Sequence, residues 1–558
     1  MSRKKFSTAA VLVTALSLVV TGCATSTTSN EGQSATDLSS QGSQINPQPA
    51  SELQDGGDLR LVLSKLPEQW NYYHTDGALV DTSTILKAVM PRSFIFDENS
   101  EIALNTDFLT KAELVNSSPQ TIEYQINDQA VWSDGTPITW KDYEAVWKAL
   151  NSADAGALVG DPTGYQNIES LTPGATDKDF TVVFNTDFAD WQKLFMFLYP
   201  AQHYATVDNF NTGWLQNVPV TAGPFKLTTD SINTTAQTVT LVQNEAWWGE
   251  KPKLDTITFR ALESTADIDA YLNNEIDVVA AGNTDRYSRV KDAANTDIRL
   301  APSSRYNHLT FGSGGVLADK DTRLAVQQAI NRESLGQTIY NGTPYKFELL
   351  NNHMYLSTDP NYQDNATGIV DFDPAAAAAA LDAAGWQVSG DVRVKDGVTL
   401  APRMVIPSGT PVSQQIAELI QAQLAGVQVK LDIVAVPTDT FFRDNITPGN
   451  FDMTLFVWGG TGFLADGVSI YQTGENTQNY GKISTDEINT LLDQANAELN
   501  PETLAQLTNE ADKLVWQEGH SLPIAQQPML LAIRPGIANY GAFSGNAEPN
   551  WTQVGWMK

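Results

Sequence analysis

The chain has 558 residues, with 34 Lys and Arg against 65 Asp and Glu, 42% hydrophobic residues and a single Cys. That length allows several domain-sized cores, and 13 Trp, 17 Tyr and 21 Phe supply the apolar area that a disordered chain lacks. A formal charge of −31 offers no basic field for phosphates, which argues against nucleic acid and anionic lipid as partners, and one Cys excludes an internal disulfide.

Arg3, Lys4 and Lys5 precede an uncharged, mainly apolar run from Phe6 to Val20, followed by Thr21-Gly22-Cys23. A basic start, a short apolar stretch and small residues at its end are the layout of a secretory signal, and the run is shorter than the roughly 20 residues that cross a bilayer. Val20-Thr21-Gly22-Cys23 resembles a bacterial lipobox, which implies lipidation of Cys23 and removal of residues 1–22. That removal takes away three basic residues and no acid, so the charge becomes −34. Residues 23–55 are rich in Ser, Thr, Gln and Asn, and are expected to form a flexible lipid-anchored tether. The body beyond is expected outside the cytoplasmic membrane.

From Gly56 the chain alternates strand-like and helix-like segments. Leu59 to Leu63, Thr181 to Phe184, Thr238 to Val242, Phe451 to Trp458 and Met529 to Ile533 read as strands. Helices are expected over Asp142 to Leu150 after the cap Thr139, Asp319 to Leu335, Pro374 to Ala384, Ser413 to Leu424 and Asp486 to Leu499. The class is mixed α/β.

No nucleophile elbow, phosphate loop or His-Glu-x-x-His motif is present. His74, His203, His308, His353 and His520 are scattered, so no metal site and no cofactor are expected. Asp371-Phe372-Asp373 runs into Pro374 and alanines and reads as a helix cap rather than a calcium loop. Nothing supports an enzyme.

Several ordered segments resemble the extracellular solute-binding proteins of ABC transporters, family 5. They are Val131-Trp132-Ser133-Asp134-Gly135-Thr136-Pro137-Ile138-Thr139-Trp140-Lys141-Asp142, Gly223-Pro224-Phe225, Asn244 to Gly249 with Pro252 to Asp255, Asn274 to Asp277, Asp321 to Leu335, and Asp373-Pro374 with Ala384-Gly385-Trp386. Thr221, Asn274 and Asn331 depart from the family pattern. The resemblance implies a large two-lobed periplasmic-binding-protein-like fold of type II, with three subdomains and a hinged cleft. Lobe one would span 56–300, with a subdomain at about 81–218 inserted. Lobe two would span 301–520, and 521–558 would return to lobe one, with crossings near Arg299 to Ser303 and Gly519 to Pro523. The implied function is capture of oligopeptides for an ABC permease with cytoplasmic ATPase subunits, by a monomer. The alternatives are a receptor for a metal chelate, an opine or another small metabolite, and, further off, a secreted hydrolase.

By the same resemblance, Trp458 would wall the ligand pocket and Gly459 and Gly460 would admit ligand backbone. Thr461 stands where an amino-group-binding Asp is expected, and Asp466 is the next acid. Trp70, Tyr72 and Tyr73 could stack on the ligand. Arg305 could pair a carboxylate, and Asn307 matches a recurrent Asn of the family's strand. For each group a plain structural role, as core or loop anchor, remains the alternative.

Overall fold

The computed structural model describes residues 42–151, 156–263, 266–460, 462–474 and 477–558. The signal segment, Cys23 and the tether up to residue 41 lie outside the described residues, as does Thr461. Strand β1 (Asp58–Leu63) opens the body, burying Leu59, Leu61 and Leu63 and leaving the residues between them half-buried. The chain then leaves for an antiparallel sheet of β2 (Leu109–Ser117), β3 (Gln120–Ile126), β4 (Ile168–Pro173) and β5 (Asp179–Phe184), ordered β2-β3-β5-β4. Between β3 and β4, helix α1 (Trp140–Leu150) begins at the expected cap: Thr139 N donates to Asp142 Oδ2 at 2.8 Å. Asp142 Oδ1 accepts from Ala201 N at 2.8 Å, so one buried carboxylate fixes both the helix start and a distant loop. Just ahead, Thr136 N donates to Asp134 Oδ1 at 2.9 Å and Gly135 takes φ +86°, a conformation that strains other residues.

The chain returns as β6 (Phe225–Lys226), β7 (Thr238–Gln243) and β8 (Thr256–Ala261), giving the order β1-β8-β7-β6 with β1 parallel to β8. These two sheets share one core, which includes Leu59, Ile122, Phe180, Phe195, Phe197 and Phe259. A second core is built on a six-stranded sheet of β9 (Val278–Ala280), β10 (Asp297–Phe311), β11 (Arg403–Pro407), β12 (Asp432–Val436), β13 (Met453–Gly459) and β14 (Ser521–Ile533). Its order is β9-β14-β10-β13-β11-β12. Helices α2 (Lys320–Gln328), α3 (Arg332–Tyr340), α4 (Pro374–Ala383) and α5 (Pro411–Ala425) cover it. Helices α6 (Leu464–Tyr471), α7 (Asp486–Ala497) and α8 (Pro501–Gln517) gather a smaller third core around Tyr471, Leu492 and Val515. Strands β10 and β14 tie the assembly together. Asp297 to Pro302 pair with Ile533 to Pro528, a bulge follows, and Tyr306 to Thr310 pair with Gln526 to Ser521.

Four expectations change. The helix expected over Asp319 to Leu335 is two helices, because Asn331 leaves helical geometry and its side chain accepts from Ser334 N at 3.0 Å, capping α3. The strand expected at Met529 to Ile533 starts at Ser521; its uniformly buried first half carries no alternation from which pairing could be read. Ile268, Tyr271, Ile276 and Val279, placed in lobe one by sequence, contribute to the second core, since β9 is an edge strand of the six-stranded sheet. Finally, the tether ends earlier than residue 55. Gln44 N donates to Ala542 O at 2.7 Å, Gln44 Oε1 accepts from Leu300 N at 2.9 Å, and Gln48 N donates to Asn539 Oδ1 at 2.8 Å. Polar residues dock here because their amides answer main-chain groups of the C-terminal segment, and Leu53 plugs the contact at 1% exposure. Leu53→Ala is expected to cost about 2–4 kcal/mol, read as a lower urea midpoint at unchanged m-value.

Candidate functional site

Strand β13 is paired along its whole length with β10: Arg305 faces Gly459, Tyr306 faces Trp458 and Asn307 faces Val457. On its other side, β11 pairs with β13 only at Met453 and Thr454. Among the described residues, no strand covers the outer edge from Leu455 to Gly459, where Val457, Gly459 and Gly460 are exposed. Edge amides and carbonyls of this kind are free to accept an added extended chain. Beyond it, Gly460 N donates to Ser304 O at 2.8 Å, and a Cβ on Gly460 would meet that oxygen at 2.9 Å, so the glycine is required by close backbone approach.

An aromatic wall stands beside this edge. The Trp458 ring is stacked between His308 (centroids 5.8 Å, 16°) and Tyr480 (5.9 Å, 17°), with Phe456 edge-on at 5.1 Å and Phe442 further along, half exposed. Burial, with the nearby His520 and His353 adding to it, holds His308 well below the usual imidazole range, so the stack stays uncharged. Tyr306 and His308 pair directly with Trp458 and Phe456, so all four rings share one face of the sheet; the Tyr306 hydroxyl meets that of Tyr471 at 3.0 Å. Behind the bulge of β10, Gln526 Nε2 donates to Ser303 O at 2.7 Å and its Oε1 accepts from Ser357 Oγ at 2.7 Å, fixing the strand just before Arg305.

The sequence candidates divide. Trp458, Gly459 and Gly460 lie along the open edge, whereas Arg305, exposed on β10, pairs with Gly459 across the other edge of β13. Asn307 is buried and its Oδ1 accepts from the Tyr340 hydroxyl at 2.6 Å, which makes it a tie between β10 and α3. Trp70 and Tyr73 are core residues, contrary to expectation. Trp70 is fully buried, its carbonyl accepting from Tyr199 Oη at 2.8 Å, while Tyr73 Oη accepts from Phe197 N at 3.0 Å. A loop this aromatic buries its rings against Tyr165, Phe197 and Tyr199. Tyr72 alone is half-buried, lying within the fields of Asp466 and Lys193.

Asp466 carries the feature that sequence reasoning missed. Lys193 Nζ lies 2.5 Å from Asp466 Oδ1 and 2.9 Å from Asp161 Oδ2, so one ammonium from the first core's sheet region is shared with α6. Burial pulls Lys193 down, but the two carboxylates outweigh it and hold it above the ordinary lysine range. Next to it, Asp190 Oδ2 accepts from Ala465 N at 2.6 Å, and Ala189 N donates to Asn496 O at 2.8 Å at the end of α7. Burial pushes Asp190 up to about 6, with Asp466 adding to the rise. The partners are some 275 positions apart, and no local pattern announces them.

Comparison with known proteins accords with this architecture. Residues 106–481 match the family model described as bacterial extracellular solute-binding proteins, family 5 Middle. The oligopeptide-binding protein OppA of Mycobacterium tuberculosis is 35% identical over 551 residues, covering 97% of this chain and 92% of that one. A lipoprotein of the same organism is 25% identical over 541 residues, 87% of this chain and 91% of its own. Among solved structures, a periplasmic EDTA-binding protein, EppA, superposes with a TM-score of 0.85 at 27% identity over 94% of this chain and 99% of its own. The oligopeptide-binding protein AppA of Bacillus subtilis, in complex with a nonapeptide, gives 0.76 at 16% identity over 91% and 100%.

Proposed function

The chain belongs to the bacterial extracellular solute-binding proteins, family 5, and from that premise we propose that it captures oligopeptides in a cleft between two lobes and hands them to an ABC permease. The observation that carries the peptide reading is the open edge Leu455 to Gly459, beside the wall of Trp458 and Tyr480. An extended ligand adds to that edge as a further strand through its main chain, while the aromatic faces receive side chains of varied shape. The near full-length likeness to a mycobacterial oligopeptide-binding protein supports the same cargo class. Arg305, opposite Gly459 at the same end of the β10–β13 register as Trp458, pairs a ligand carboxylate.

In this reading β10 and β14 are the crossings between the lobes, and closure is a hinge motion about them. Such a receptor binds without turnover, since transport consumes the cargo elsewhere. Among the described residues no helix is long and apolar enough to cross a membrane, and attachment rests on lipidated Cys23. The receptor works as a monomer at the outer side of the cell membrane, with the permease as its docking partner.

The decisive experiment is native purification followed by mass spectrometry of the released ligand, with tryptophan fluorescence titration against a synthetic pentapeptide mixture. Peptides in the eluate and a saturable fluorescence change are expected. A metal chelate in place of peptides, with no response to the mixture, would replace the cargo and keep the receptor role.

A further inference from the structure

Helix α6 has Phe463 at its N-cap position, whose side chain cannot accept a hydrogen bond and leaves the first amides of the helix without a cap of their own. The group that answers them belongs to a different core. Asp190 precedes the short turn Trp191–Lys193, whose neighbours Leu194 and Phe195 sit in the first core, and its carboxylate reaches Ala465 N. Three residues on, Lys193 holds Asp466 in the first turn of the same helix, while Asp161 anchors the ammonium from its own side. Phe463 meets Phe96 at 5.6 Å, and the Ala465 side chain is buried among residues of the first core. Apart from the Asp161 anchor, these contacts cross between bodies that otherwise have separate cores.

We propose that Asp190 and Lys193 form a clasp across the cleft: closure seats the Asp190 carboxyl on the uncapped start of α6 and the Lys193 ammonium on Asp466, and these contacts set how tightly the protein holds its ligand. The clasp rests on the hinged two-lobe reading above. Both residues are positioning residues, acting through the lobe they hold rather than through the ligand. In the open form Asp466 and Lys193 are solvated separately, and closure exchanges that hydration for a buried pair. Removing Lys193 therefore takes the Lys193 ammonium from a half-buried Asp466 and disfavours closing.

The same geometry makes closing proton-linked. Asp190 is faced by Asp466 and the α6 amides, by Lys193 on its own element, by Tyr355, and by the end of α7, which contributes only the Asn496 carbonyl beside it. An open, solvated Asp190 has the ordinary value of about 4, and closure raises it to about 6. Its protonated form thus stabilises the closed state fully below about pH 4, and that contribution is lost as pH rises through about 6. Asp466, raised by burial against the pull of Lys193, acts in the same direction. Asp161, exposed and held low by Lys193, titrates below this window, and Lys193 far above it. Acidification from pH 7.5 to 5 favours closing.

The test uses the full chain with Cys23→Ser, labelled through Asp128→Cys and Glu418→Cys, two exposed positions on the two sides of the cleft, with spin-label distances measured without ligand and with the pentapeptide mixture. Lys193→Met is expected to lower the closed-to-open ratio at least tenfold and to weaken peptide binding by a similar factor. Lys193→Gln, a second pair variant that keeps the length of the side chain and removes its charge, serves if that variant folds poorly. Asp190→Asn is expected to flatten the rise in closed fraction between pH 7.5 and 5. Unchanged distances in both pair variants, or a pH profile that Asp190→Asn leaves intact, would overturn the clasp. Peptide binding retained with unchanged distances sinks the clasp alone, whereas absent peptide binding with shifted distances sinks only the peptide reading.

Discussion

Trp458→Ala is expected to weaken peptide capture by roughly 30-fold, about 2 kcal/mol, while the fold survives. The indole is the middle plate of a three-ring stack, with His308 behind it and Tyr480 beyond, at the one stretch of β13 whose outer edge is unpaired. Truncation removes the flat surface on which a ligand side chain rests and lets water reach the edge amides that an added strand must use. His308 is neutral and anchored by a 2.8 Å hydrogen bond to Thr310 Oγ1, so it does not swing out to refill the space. Trp458 is half-buried at the periphery of the third core, so the structural loss is modest and circular dichroism should be unchanged. Isothermal titration of the pentapeptide mixture against both proteins checks this, and a loss smaller than twofold would remove Trp458 from the site.

The largest stability effect is expected at Asp512, where Asp512→Ala should cost about 4 kcal/mol. Its carboxylate is fully buried and accepts from His353 N at 2.9 Å, His353 Nδ1 at 2.8 Å and Asn365 Nδ2 at 2.8 Å. Three donors are orphaned at once in a region without water access, and each carries its own desolvation cost. Asn352 and Asn365 both donate to Asn509 one turn earlier on α8, so the damage spreads along the loop that precedes α4. A fall in the urea midpoint should accompany loss of hydrogen-exchange protection near His353. Asp512→Asn, which keeps the shape and one acceptor, should fall between the two.

Much of the fold was legible because it is carried by local signals. The Asp134-Gly135 turn, the cap at Thr139, the Asp373-Pro374 helix start and the alternating strand at Leu59 each need only their neighbours to form. Family 5 membership followed from the order of such segments. The site was legible in half. Trp458, Gly459 and Gly460 lie together at one end of β13, as their adjacency in sequence requires, but which edge of β13 is open depends on how short its pairing with β11 is, a tertiary fact. Trp70 and Tyr73 misled because an aromatic cluster looks the same in sequence whether its rings face a ligand or one another. Asp190 and Lys193 were invisible, since a charged pair in a short turn reads as solvated surface until α6 is brought against it. The polar stretch before Gly56 misled oppositely, its Gln44 and Asn46 side chains being bound by the backbone of Leu300 and Ile537.

That docked stretch has a mechanical consequence. Residues 44 to 54 grip the C-terminal segment and, through Gln44, reach Leu300 on β10, the strand that with β14 joins the two cores. A pull along the N-terminus is therefore delivered beside the pivot, where its lever arm about the opening axis is short. With the lipid anchor proposed at Cys23, force arriving at Gln44 turns the whole body and exerts little torque on either jaw.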